Sequence, residues 1–475
     1  MIPLKKFQNW MKENKKDIFL INRTDEFLNE FISDYDERLK WISNFSGSAG
    51  KAIIEQQKAY IFVDGRYTQQ INQEVDLDLI KVKHIKNYWL HLLEYKNDNK
   101  ILALDPLLHS IQEIEKIQKI YINTNIVLNY LENNPIDIIW DDQPSRPKSK
   151  VFIHADKYAG EDIHCKIERI QKVLKLKFID YYLLSSLDSI AWLLNLRGDD
   201  IKHTPLFICH IVIPKEGKIE LFIDQFKIEN IINDLSSHIN SHHFEKLDKY
   251  LLSINLKKII GMDELSTVFH FKNILNKKGF IIKYLENPCL MPKAIKNDVE
   301  IEGARQANQR DGVSMTKFLF WLKKKIIVKD TNEIQAAEYL LNLRKKNYLF
   351  YSSSFDTISA FGKHGALPHY RVSTDSNLFF FTNGIYLVDS GAQYKDGTTD
   401  ITRTIIIGNP NNEQKDRFTR VLKGHIAIAE AVFAIGTKGS MLDPLARKSL
   451  QEINCDYDHG TGHGIGSFLS VHEGP

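Results

Sequence analysis

The sequence predicts an α/β and α+β protein in three parts: two tandem mixed α/β domains, then a third domain of different character. Three observations lead there. The chain has 475 residues, long for one hydrophobic core and close to what about three domains require. Two polar, proline-bearing stretches interrupt it. Trp41, Asn44, Phe45 and Gly47 also stand at the same relative spacing as Trp192, Asn195, Leu196 and Gly198, which points to an internal duplication. These breaks set the domains at 1–147, 148–296 and 297–475.

Each motif follows a predicted helix and precedes a strand–turn–strand. In the first copy the strands are 51–54 and 59–63, ending at Asp64; in the second they are 207–213 and 218–223, ending at Asp224. Helices alternating with β-rich segments indicate mixed α/β layers. Neither copy holds a cluster of metal-ligand side chains, so both read as scaffold and as walls for a site elsewhere. The first break, Asp141-Asp142-Gln143-Pro144-Ser145-Arg146-Pro147-Lys148, reads as a linker or long turn. The second is Asn287-Pro288-Cys289-Leu290-Met291-Pro292, after which a helical pattern begins. Asn297 and Glu300 have capping-box spacing. Ala304, Ala307, Met315, Phe318, Leu319 and Leu322 then recur as one buried helical face. A second helix is expected from Asp330, with Glu333 three residues on.

Bulk composition narrows the function. Hydrophobic residues make up 43% and charged residues 26%, with a net charge of +3. That is ordinary for a soluble globular protein and gives neither nucleic acid nor an anionic membrane a reason to bind. Cys165, Cys209, Cys289 and Cys455 are scattered without a CxxC pair, which fits a reducing compartment and rules out a cysteine-rich zinc site. The first residues lack the apolar core of a signal peptide, and no apolar run approaches a membrane span. A cytoplasmic location is expected.

From about Ser352 the chain changes character. A glycine-broken loop ends at His369-Tyr370. A strand over 384–392, a turn around Asp396-Gly397 and a return strand over 399–404 form a hairpin signal. Asp389 and Asp400 then sit on paired strands, pointing at one spot. Two carboxylates converging in a partly buried place repel unless a cation or proton neutralises them. Taken singly, either aspartate is more often a turn residue capping backbone amides. His459-Gly460-Thr461-Gly462-His463-Gly464-Ile465-Gly466 and the later His472 shift the balance toward ligands with acid–base groups, the glycines letting backbone pack closely round a centre.

Residues 386–404 and 458–475 resemble the two signature blocks of the aminopeptidase P family, one of the pita-bread metallopeptidases with prolidase and methionine aminopeptidase. The resemblance runs on through 41–67, with Gly47-Ser48-Ala49-Gly50 and Asp64-Gly65-Arg66-Tyr67, and through 190–198. It covers nearly the whole chain and matches the long, three-domain cytosolic type. It implies two creatinase-type N-terminal domains before a pita-bread catalytic domain that hydrolyses Xaa–Pro bonds at peptide N-termini, using water activated between two divalent ions. By resemblance Asp389 holds one metal, Asp400 bridges both and His463 binds the second. His369 and His472 lie beside the substrate, bind it and move protons, and Arg66 lies near the substrate, supplied across a homodimer. Carboxylates with one imidazole form a hard donor set that favours manganese. Prolidase, with one N-terminal domain, and a non-catalytic pita-bread peptide-binding protein are the alternatives.

The resemblance further implies two glutamate ligands beyond Pro475, since Glu473 matches a non-ligand position. The expectation is a C-terminally incomplete catalytic domain, inactive and poorly stable, with apolar faces exposed around Phe379, Phe380 and Phe381; a disabled relative is the other account.

Overall fold

Two six-stranded sheets of one topology form the front of the molecule. The computed structural model describes residues 2–327, 330–380 and 383–474, so Phe381 and Pro475 lie outside the described residues. The first sheet comprises β1 (Ile18–Asn22), β2 (Lys51–Glu55), β3 (Ala59–Val63), β4 (Ile80–His84), β5 (Ile101–Leu104) and β6 (Val127–Tyr130), in the order β4-β3-β2-β1-β5-β6. A short strand β7 (Phe152–Ile153) follows. The second sheet comprises β8 (Tyr181–Leu184), then, after β9 (Leu196–Arg197), which pairs with β7, β10 (His210–Pro214), β11 (Ile219–Phe222), β12 (Ile239–His242), β13 (Ile259–Met262) and β14 (Ile281–Tyr284). Its order is β12-β11-β10-β8-β13-β14. Antiparallel pairing at β1/β2 and β2/β3, with parallel pairing elsewhere, recurs strand for strand in the second sheet.

Covered faces explain the continuous apolar runs. Phe19, Ile21, Ile54 and Ile61 pack into one core, while the alternate residues Ile18, Leu20, Ile53 and Phe62 pack into another. Successive side chains point to opposite faces of a strand, so both faces are buried under helices. The repeated asparagines have a backbone reason: Asn44 (φ 65°) and Asn195 (φ 48°) both take the left-handed conformation, which asparagine tolerates better than most residues. The tryptophans differ. Trp192 is buried, whereas Trp41 is half-buried and stacks on Trp140.

The second copy's strands are shorter than expected. Residues 207–209 stay outside the sheet because the backbone there is engaged by the preceding turn: Asp200 N–H donates to the Leu206 carbonyl, and Asp200 Oδ2 accepts from Ile208 N–H at 2.8 Å.

A 30-residue helix, Asp298–Ile327, opens the third part. Asn297 Oδ1 accepts from Glu300 N–H and Glu300 Oε2 accepts from Asn297 N–H, each at 3.0 Å, which is the expected capping box. The next helix is Glu333–Arg344 and does not start at Asp330. Asn332 caps it by accepting from Gln335 N–H at 2.9 Å, while Asp330 pairs with Lys325. Two three-stranded sheets follow. One joins β15 (Phe350–Ser353), β18 (Ala392–Tyr394) and β19 (Gly397–Thr398); the other joins β16 (Ile358–Phe361), β17 (Gly384–Ser390) and β20 (Ile401–Ile407). Tyr394 pairs with Gly397, so the turn is Lys395-Asp396. The single return strand expected over 399–404 is split, because the chain crosses between sheets at Thr399-Asp400. Gly391 permits that crossing, since a Cβ there would lie 1.9 Å from the Thr399 carbonyl oxygen. Phe380 is buried against Phe361 and Tyr386 and is not part of an exposed face; Phe379 is half-exposed. No described helix is long and apolar enough to cross a membrane.

Candidate active site

A buried ion pair sets the positions of the two aspartates. Arg344 Nε and Nη2 donate to Asp311 Oδ1 and Oδ2 at 2.6 and 2.8 Å. Arg344 Nη2 also donates to the Ser390 carbonyl, and Asp311 Oδ2 accepts from the Thr399 hydroxyl at 3.0 Å. Ser390 and Thr399 are the chain neighbours of Asp389 and Asp400, so the clamp fixes both backbones. Breaking such a pair by removing one partner typically costs about 3–5 kcal/mol.

On this support Asp389 sits opposite Thr402 in the β17/β20 ladder. Its Oδ1 is buried without a hydrogen-bond partner. Burial, and then the charge of Asp400, push its carboxyl up to about 6. His463 Nε2 lies 3.4 Å from Asp400 Oδ2, and that contact raises the imidazole above its ordinary value. His463 Nδ1 donates to the Gly464 carbonyl at 2.7 Å. The glycines of this loop are not all tight. Gly460 and Gly462 face open space, while a Cβ on Gly464 or Gly466 would come within 2.7 Å of the Glu473 or Ser470 carbonyl oxygen. Close packing therefore begins after His463.

The other expected residues gather round this pair. Arg66, His369, Asp389, Asp400, His463 and His472 all line one cavity of about 1060 Å³. His472 stands against His463 with ring centroids 4.5 Å apart. Its Nδ1 donates to Glu30 Oε2 at 2.8 Å. Burial alone would raise Glu30, but the hydrogen bond and charge of His472, with Arg66 and Ser48, hold it down to about 2. His369 is pressed down to about 4 by burial and by the neighbouring Arg66, and its Nδ1 meets the Tyr67 hydroxyl. Arg66 donates to Asp64 at 2.8 and 3.0 Å and to Glu30 at 3.3 Å. It thus reaches the cavity of its own chain. The second domain contributes Arg197, nearly fully buried, which donates to the Phe468 carbonyl at 2.6 Å and braces the turn leading to His472.

Residues 3–128 and 142–300 match models of the creatinase/prolidase N-terminal domain, and residues 302–475 match metallopeptidase family M24. A probable Xaa-Pro aminopeptidase P of Neosartorya fischeri is 37% identical over 99% of this chain and 74% of its own length. A relative of the same name from Coccidioides posadasii is 36% identical over 99% and 75%. The chain belongs to the Xaa-Pro aminopeptidase P family. Among solved structures, an X-prolyl aminopeptidase of Caenorhabditis elegans, described as cytosolic with a di-nuclear active site, superposes with a TM-score of 0.93 at 31% identity, covering 97% of this chain and 77% of that one. The Pyrococcus horikoshii prolidase reaches 0.51 at 26% identity, covering 65% of this chain and 84% of its own. Prolidase therefore lacks a counterpart for a third of the molecule, and the aminopeptidase P architecture accounts for all three parts.

The donor set fits part of a metal centre of this family. A buried carboxylate oxygen without a partner, a second carboxylate beside it and an imidazole on that second carboxylate are what a hard divalent ion binds. Among the described residues no three His, Cys, Asp or Glu side chains close round a single point; His463 reaches Asp400 but not Asp389. Glu473 is held elsewhere, its carboxylate on Lys296 at 2.5 Å and Lys293 at 3.3 Å.

Sequence reasoning missed Glu30, Ser48 and Tyr67 as parts of the site. Glu30 stands 442 positions from its histidine and Tyr67 302 from its own, so local spacing carries no signal for either contact.

Proposed function

We infer that this chain is a metal-dependent aminopeptidase that hydrolyses the Xaa–Pro bond at the N-terminus of peptides. The observation that carries the reading is the partnerless, buried Asp389 Oδ1 beside Asp400, in one cavity with His463, His369, His472 and Arg66. A metal-free binding protein has no need for two carboxylates that repel each other there.

In this reading Asp389, Asp400 and His463 contribute part of the ligand set of two divalent ions, with manganese favoured by the hard donor set. Ions bound there supply Lewis-acid polarisation and acidify water. The protein's own side chains do the rest. An Xaa–Pro bond is a tertiary amide without N–H, so recognition cannot use that hydrogen and falls to groups around the carbonyl and the free amine. The proline nitrogen must leave with a proton. His472, oriented by Glu30 through Nδ1, has its other nitrogen available to move it. Arg66, anchored on Asp64 and Glu30, offers a fixed positive charge to the substrate within the same chain. A cytosolic homodimer is the assembly this reading proposes.

The test compares peptides beginning Xaa-Pro-Pro with matched Xaa-Ala peptides, before and after chelation and manganese return. Selective release of the first residue from the proline series, lost on chelation and regained with manganese, is expected. Equal cleavage of both series, or activity indifferent to chelation, would contradict the assignment.

A further inference from the structure

A continuous path of hydrogen bonds joins the two site histidines through the first domain. His369 Nδ1 meets the Tyr67 hydroxyl, and Tyr67 meets the Ser48 hydroxyl at 2.6 Å. Ser48 donates to Glu30 Oε1 at 3.1 Å, and Glu30 Oε2 meets His472 Nδ1 at 2.8 Å.

The direction of this path follows from counting protons. An ionised carboxylate only accepts, and a hydroxyl has one proton to give. Glu30 therefore takes the Ser48 proton. The Ser48 oxygen then accepts from Tyr67, which spends the only phenolic proton. The Tyr67 oxygen is left to accept, and its remaining partner is His369 Nδ1. That nitrogen must carry the hydrogen.

We propose that Ser48 and Tyr67 are positioning residues that fix neutral His369 as its Nδ1–H tautomer, leaving Nε2 with a lone pair toward the substrate cavity. His369 then meets the substrate as a hydrogen-bond acceptor, suited to an N–H or O–H group and not to a carbonyl oxygen. The proposal rests on the aminopeptidase reading for what occupies the cavity, but not for the tautomer itself. Packing supports the path. Tyr67 and Ser48 are buried, and the Phe45 ring stands edge-on to Tyr67 at 5.5 Å. A Cβ on Gly47 would lie 2.2 Å from Phe45 and 2.7 Å from Tyr67, so the first domain keeps glycine where the phenol must seat. The low value of His369, set by burial and Arg66, keeps its ring neutral at pH 7.

The experiment is nitrogen NMR of the histidine-labelled full chain, with the His369 signals assigned by their loss in His369→Gln. In the parent protein His369 should show a protonated Nδ1 and an unprotonated Nε2. Ser48→Ala frees the phenolic proton to turn onto Nδ1, so the tautomer should flip to Nε2–H. Tyr67→Phe should give a mixture. Both substitutions should lower kcat/KM by about tenfold, the scale of losing an orienting partner. An unprotonated Nδ1 in the parent protein overturns the proposal even if the variants fail to fold, and so does an unchanged tautomer in Ser48→Ala. The spectra are read without substrate. The expected tautomer in a protein that does not cleave Xaa–Pro peptides would sink the proposed function alone. Cleavage with the opposite tautomer would sink only this inference.

Discussion

Asp389 pairs a buried, partnerless oxygen with a like charge on Asp400, and the two together push its carboxyl up to about 6. A side chain so placed costs stability in the chelated protein and repays it only through a bound cation. Asp389→Asn should therefore leave the melting temperature of chelated protein unchanged or raise it by ~2–4 °C, equivalent to about 1 kcal/mol for a domain of this size, while abolishing Xaa–Pro hydrolysis. Calorimetry after chelation, set beside the peptide assay, checks both halves. A clear drop in melting temperature would mean that the Asp389 charge has a structural partner. At this scale Asp389, Asp400 and His463 were legible because each lies in a short motif whose glycines and turn residues stand beside it. Arg344 and Asp311, which pin the flanking residues, were not. They lie 33 positions apart in sequence, and nothing in the local pattern separates an ion pair beneath a site from two charges on a helix surface.

The helix beginning at Glu333 shows how one spacing can support two readings. Asp330 with Glu333 and Asn332 with Gln335 both have the interval of a cap, and the sequence alone favoured the first. Tertiary demand decides for the second, because Glu333 is wholly buried and committed elsewhere. Its Oε1 accepts from Phe361 N–H at 2.6 Å and His364 Nδ1 at 2.8 Å; its Oε2 accepts from Leu378 N–H at 3.0 Å and the Tyr370 hydroxyl at 3.2 Å. This carboxylate ties the helix start to β16 and to both sides of the loop carrying His369. With a backbone N–H on each oxygen, the position suits a carboxylate better than an amide. In Glu333→Gln the –NH₂ faces a backbone N–H whichever way it turns, Phe361 on one side and Leu378 on the other, leaving buried groups unsatisfied at about 1–3 kcal/mol each. Loss of about 2–4 kcal/mol in urea unfolding is expected, with reduced turnover as the His369 loop loosens. Full retention of stability would show that the Tyr370 hydroxyl and the His364 ring turn to accept from the amide. The capping box at Asn297 and Glu300 was legible for the opposite reason: both partners of each bond lie within one turn.

Across the whole molecule, the front domains brace the site through buried histidines as well as through charged contacts. His210 packs among Phe27 of the first domain and Phe244 and Phe271 of the second, with centroids 4.7, 5.4 and 5.3 Å away. His154 of the second domain lies against Phe468, 5.4 Å away, in the turn that leads to His472. The duplicated sheets were foreshadowed by the repeated Trp-Asn-Gly motif, since each copy must solve the same backbone problem. How the copies dock was not, because these contacts join residues whose neighbours in sequence say nothing of each other. Docking brings a pH limit. Burial presses His154 down to about 2, with Arg197 and Lys166 adding to it. Burial presses His210 down to about 3, with Asp248 opposing and Arg146 and His270 adding. The folded protein thus binds fewer protons than the unfolded chain. The stability from the neutral rings is whole above their ordinary value of 6.5 and falls as pH drops from there toward the folded values. Each buried histidine should cost about 1.4 kcal/mol per pH unit below 6.5. Between pH 7.5 and 5.5 these two histidines should together take about 2–3 kcal/mol from the urea-unfolding free energy, with activity declining as the turn before His472 loses its support. The double variant His154→Phe, His210→Phe keeps an aromatic ring at both positions and removes both protonation sites. Its fall over that range should be smaller than the parent's by about those 2–3 kcal/mol, what is left belonging to other shifted groups such as His369 and Asp389. An acid slope equal to the parent's would place the proton uptake elsewhere in the fold.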